Sequence, residues 1–203
     1  MPIRYNETKK RFERDGVAIS PVELRELIDK LTLATKRDAR RLSARLERGE
    51  ITQAAWAAGM LALLRAAHVV AASVGGGGLS QVTDSRWQKV EKKVSWQKRY
   101  LDKFGAAIVA GTVLTTVGAI ASRAAKYASA VYVTFANALR EEQTAGVEKE
   151  MQCRLVQNSK EGCPECSADA SEGWMPVSEM GEIGSRECGD YCLCEIEFED
   201  ELL

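Results

Sequence analysis

Apolar residues return every three or four positions along most of the first 143 residues, and in alternation only near the end of the chain. The first spacing is that of an amphipathic helix and the second that of a strand. Leu24, Ile28, Leu31, Ala39, Leu42 and Leu46 trace one helical stripe, closed by Arg48-Gly49-Glu50. Ser20 stands at its N-cap, Pro21 at the first helical position and Glu23 where a capping box needs it. Thr52 opens a second helix, with Trp56, Met60, Leu63, Ala67, Val70 and Val74 spaced 4, 3, 4, 3, 4 as in a seam between packed helices. Four glycines at 75–78 stop that helix and reverse the chain. Thr83 caps a third helix, whose seam is Trp87, Val90, Val94, Gln97, Leu101, Phe104 and Ile108. A fourth helix is expected over about Thr116–Gln143, with Val117, Ile120, Ala124, Tyr127, Val131, Phe135 and Ala138 inward.

These segments predict a mainly α fold, an antiparallel bundle or set of helical hairpins. Residues 1–19 carry close-set charges and few apolar side chains, so a flexible arm is expected there. The uncharged run from Phe104 to Ser122 approaches the length of a membrane span. It is built of Gly, Ala and Thr, and Gly111 and Gly118 interrupt it, so it reads as a break between two buried helices. No membrane segment and no signal peptide are expected, and the chain reads as made in the cytoplasm.

Composition is that of an ordinary globular protein, 45% hydrophobic and 28% charged, with a net charge of −1. That average hides an asymmetry. Residues 1–150 hold 25 Lys and Arg against 16 Asp and Glu, whereas residues 151–203 hold 3 against 13. A basic helical domain over 20–150 is thus joined to an acidic one over 151–203.

The acidic segment also holds all six cysteines. "QCRLVQ" and "CLCEIEF" read as short strands, and glycines and prolines punctuate the rest. So few apolar side chains lie there that the segment needs a staple. Cys163-x2-Cys166 is followed after 21 residues by Cys188-x3-Cys192-x-Cys194. Paired thiolates on a tight loop, completed by a distant cluster, suit a tetrahedral zinc ion with Zn–S bonds of about 2.3 Å. Such an ion supplies folding free energy on the order of 10 kcal/mol. Five thiols compete for four places. Cys163 and Cys166 lead and Cys188 follows; Cys192 and Cys194 lie two apart in an expected strand, so that one of them is expected to bind. Cys153 reads as a buried strand residue. Disulfides and unliganded core cysteines are the competing readings. A redox pair lacks its βαβ setting, and a catalytic zinc lacks a histidine, since the lone His68 lies in the second helix.

The stretch from Met151 to Phe198, with its Cys-x2-Cys, Trp174, Pro176, the Ile183-Gly184 turn and the closing Cys-x3-Cys-x-Cys, resembles the C-terminal segment of tailed-bacteriophage minor head (head-morphogenesis) proteins. "ITQAAW", the glycine run and "RWQKV…YLDKFGAAIVAG" are similar to the same group, so the resemblance spans about residues 30–198. The family's pattern often has His where Cys188 stands. The resemblance implies a low-copy structural protein of the phage head near the portal vertex, with portal, major capsid protein and its own copies as partners. It implies no enzymatic activity.

Two basic stripes widen the choice. Arg37, Arg41, Arg45 and Arg48 share one face of the first helix, and Arg86, Lys89, Lys92, Lys93, Lys98, Arg99 and Lys103 crowd the third. Either could meet packaged DNA, and a DNA-binding module is the alternative function. Trp96 is off the seam and is a candidate for contact with a partner. The sequence holds no phosphate-cradling loop and no nucleophile elbow, so no enzyme is expected.

Overall fold

The computed structural model describes residues 3–9, 11–112, 118–145, 151–157, 163–192 and 194–199. Its elements are β1 (Ile3–Asn6), β2 (Arg11–Arg14), β3 (Val17–Ala18), α1 (Pro21–Glu47), α2 (Gln53–Gly75), α3 (Asp84–Val109), α4 (Ala119–Lys126), α5 (Ala130–Gln143), β4 (Gln152–Val156), α6 (Pro164–Glu172), β5 (Met175–Pro176) and β6 (Glu195–Phe198). The protein is mainly helical, with small antiparallel sheets at both ends and a C-terminal cysteine cluster.

The helix starts follow from local chemistry. Ser20 and Glu23 form a reciprocal capping box at α1, and the Thr52 and Thr83 side chains accept the amides of Ala55 and Arg86. At the end of α1 the chain turns through Gly49 at φ 71°. The α2 helix is central and packs on α1, α3 and α5. It is also the one helix among the described residues long and apolar enough to cross a membrane. The Phe104–Ser122 run breaks as expected, with α3 ending at Val109, α4 starting at Ala119, and left-handed glycines at 111 and 118. The predicted helix start at Thr116, with Val117, lies outside the described residues.

One core joins Trp56, Met60 and Leu64 of α2 to Leu101 and Phe104 of α3, with the Trp56 and Phe104 rings edge to face at 5.5 Å. Trp56 Nε1 donates to Ser43 Oγ at 3.0 Å, which explains a fully buried serine on α1. The α2 seam is turned slightly from the expected one, with Leu64, His68 and Ala71 inside and Val70 exposed. His68 is buried. Its Nε2 lies 3.1 Å from Gln97 Oε1 and its Nδ1 lies 2.7 Å from Thr134 Oγ1, and Gln97 donates to the Tyr127 carbonyl at 3.0 Å. This polar chain ties α2, α3 and α5 together.

Three features depart from the sequence reading. The expected arm is a three-stranded antiparallel sheet, ordered β1-β2-β3, that buries Tyr5, Phe12 and Ile19 against Leu24, Ala67 and Phe135. The glycine run is its seat. Tyr5 donates its amide to the Gly77 carbonyl at 3.1 Å, and a Cβ on Gly78 would stand 2.3 Å from the Ile3 carbonyl oxygen. The fourth helix is two, α4 and α5, joined by a tighter 3-10 turn over Tyr127–Ser129. Finally, α5 buries Val131 and Phe135 on one side and Val133 on the other. The second side receives the C-terminal segment.

That segment is a three-stranded antiparallel sheet, ordered β5-β4-β6, with α6 beside it. It holds more apolar surface than its sequence suggests. Met151, Leu155, Val177, Met180 and Ile183 are buried together with Cys153 and share Val133 of α5.

Candidate metal centre

Each cysteine is brought to the site by a different local device. Cys163 is the N-cap of α6, with Pro164 at the first helical position and Glu165 in the first turn. Its sulfur accepts the Cys166 amide at 3.4 Å. Cys166 faces inward one turn later and is fully buried. Both thiols thus sit at the positive end of a helix, which favours thiolates. Cys188 precedes the 3-10 turn Gly189–Tyr191, and Cys192 follows it. Cys194 lies immediately before β6.

The sulfurs of Cys163, Cys166 and Cys188 lie within 4.8 Å of one another, and so do those of Cys166, Cys192 and Cys194. Cys166 belongs to both groups, and its sulfur is 3.5 Å from that of Cys188. Ligand sulfurs around a tetrahedral zinc stand about 3.8 Å apart, as Zn–S bonds of about 2.3 Å require. These two groups of soft donors, joined through the buried Cys166, could hold a metal ion.

Cys192 and Cys194 both converge on Cys166. Their sulfurs share one side, as positions two apart in an extended segment do, and β6 itself begins at Glu195. Cys153 stands apart from the cluster, fully buried in β4, where burial pushes its thiol up.

Electrostatics suit a cation. Burial pushes the thiols of Cys166 and Cys188 well above their ordinary value and that of Cys194 to about 11. The amide of Cys166 holds Cys163 down. Burial pushes Cys192 up too, but the Cys194 amide and the adjacent thiols outweigh it and leave it lowered. Gathering thiolates here without a cation is costly, and a divalent ion reverses that balance.

The centre is fastened to the helical body. Asn137 of α5 donates to the Ile183 carbonyl and accepts the Ile183 amide, each at 2.9 Å. Arg140 donates to the carbonyls of Val177, Met180 and Gly181 at 2.8, 2.6 and 3.0 Å. Lys89 pairs with Glu182 at 3.0 Å, Arg25 pairs with Glu195, and Tyr132 Oη donates to the Cys194 carbonyl at 3.4 Å. The opposite charges of body and tail therefore meet directly.

The basic stripes are largely matched within the chain. Arg37 and Arg41 pair with Asp38, and Arg45 and Arg48 with Glu50. On α3, Arg86 pairs with Glu141 and Glu142, Lys89 with Glu141 as well, and Lys98 with Asp102. Trp96 is more than one-third exposed and packs on Tyr100 at 4.4 Å.

No protein-family profile, curated protein or solved structure matches the chain.

Proposed function

We propose that the protein is a structural component of a tailed-phage head, a minor head protein that acts as a rigid adaptor at the portal vertex, with zinc as the metal of its cysteine centre. The observation that carries the reading is the gathering of Cys163, Cys166, Cys188, Cys192 and Cys194 into two groups of three sulfurs that share the buried Cys166. These are the cysteines of the tail motif that resembles the minor head proteins.

In this reading the helices supply faces for portal, capsid protein or sister copies. The zinc ion fixes the tail so that its acidic surface is held in one shape on α5. The protein carries no catalytic role. Internal pairing of most stripe cations supports a protein–protein adaptor over a nucleic-acid module, because a paired guanidinium releases fewer counterions from DNA.

Mass spectrometry of particles produced from the encoding genome tests this. The chain is expected in purified heads at lower copy than the major capsid protein. Its absence from both empty and filled heads would contradict the reading.

A further inference from the structure

Helices α3 and α5 both pack on α2 but spread apart above it, and the 182–185 turn of the tail closes one end of the gap. The resulting groove has a volume of about 520 Å³. Its floor is apolar, formed by Ala72, Val90, Val133 and Ala138. Its α3 rim carries Lys92, Lys93, Trp96 and Arg99. The two carboxylates that line it, Glu141 and Glu182, are both held by Lys89. Among the described residues, Lys92 and Arg99 enter no ion pair, and both are exposed.

We infer that this groove is a docking site for an acidic peptide segment of a protein partner, one that places a large apolar side chain between flanking carboxylates. The floor asks for the apolar anchor, and the rim asks for the carboxylates. A nucleic-acid strand fits less well. It would leave the floor uncovered and bring phosphates toward Glu141 and Glu182. Stacking bases would also compete with the partners Trp96 already has, Tyr100 beside it and Lys93 Nζ 5.6 Å from its ring centre. The polar groups at the back are engaged as well: Asn137 with Ile183, and Thr134 with His68 and the Ala130 carbonyl. Specificity therefore resides in the rim.

The test is selection of displayed random peptides on the immobilised full-length, zinc-loaded protein, followed by binding of labelled winners in solution. Enriched peptides are expected to carry an aromatic or large aliphatic residue flanked by Asp or Glu. They should bind about tenfold or more weaker to K92E/R99E, and weaker to W96A, while both variants keep their melting temperature and metal content. If the charge reversals disturb the fold, K92Q/R99Q is expected to give the same direction of effect. Failure to enrich any sequence over bare support, or winners whose binding ignores Lys92, Arg99 and Trp96, would overturn the inference. So would tighter capture of a labelled oligodeoxythymidylate that depends on Lys92 and Arg99, which would make the groove a nucleic-acid site.

Discussion

Asn137 and Ile183 exchange two hydrogen bonds of 2.9 Å, side-chain amide to backbone, across the junction between α5 and the cysteine-rich tail. The amide acts as a surrogate strand edge: one donor and one acceptor meet the complementary pair of a single residue. Asn137→Ala leaves both Ile183 groups without their protein partner. A loss of about 1–3 kcal/mol is expected, read as a fall in melting temperature with faster proteolysis between residues 174 and 192. An unchanged tail in that variant would show that the junction is held by other contacts.

Close approach at the same junction depends on Gly184. Its φ is +79°, and a Cβ there would stand 2.8 Å from Val133 Cγ1 and 2.9 Å from the Gly189 carbonyl oxygen. Gly184→Ala is expected to cost about 1–3 kcal/mol through backbone strain and displaced packing. Amide exchange should speed up in the tail more than in α1. Equal protection of the two regions would contradict the assignment.

Removing single sulfurs should rank the ligands. Cys166→Ser strikes both groups of thiols and is expected to lower bound metal and tail protection most. Cys163→Ser should do less, because it leaves the group of Cys166, Cys192 and Cys194 intact. Cys153→Ala should leave metal stoichiometry unchanged, because its thiol lies outside both groups. Metal content of the purified variants, set against thiol titration, checks the order.

The N-terminal sheet makes an acid-side prediction. Hydrogen bonds from Asn6, then Lys9 and Arg11, hold the Glu13 carboxyl at about 2 instead of 4.5. The folded state thus favours the charged form. Glu13's contribution to stability is present above about 4.5 and is lost as pH falls through about 2. Side-chain NMR titration should find this depressed value, and Glu13→Gln should abolish the pH dependence it causes. A value near 4.5 would mean that the hydrogen bonds from Asn6, Lys9 and Arg11 to Glu13 are not kept in solution.

The sequence announced the helices where capping chemistry is strong and local. Ser20, Thr52 and Thr83 mark their own positions because one side-chain oxygen satisfies an amide three residues away. The cysteine spacing likewise pointed to the metal centre. What stayed hidden depends on distant partners. Tyr5 and Phe12 are too few to suggest a core until the hairpin pairs them at 5.0 Å and the glycines at 77 and 78 admit the chain. The split of the fourth helix at Tyr127 rests on Gln97, thirty residues earlier, which takes up the Tyr127 carbonyl. The tail's core is spread over Met151, Met180 and Ile183, with no period to reveal it, and it is completed by Val133 of another element.

In the proposed arrangement one ion closes the cysteine centre and fixes the tail on α5. Native mass spectrometry of the purified full-length chain, before and after a strong chelator and paired with amide exchange over residues 151–199, tests it most directly. One zinc per chain is expected, released by the chelator together with tail protection, while α1 and α2 stay protected. A chain that carries no metal, keeps six free thiols and protects its tail equally with and without chelator would contradict it.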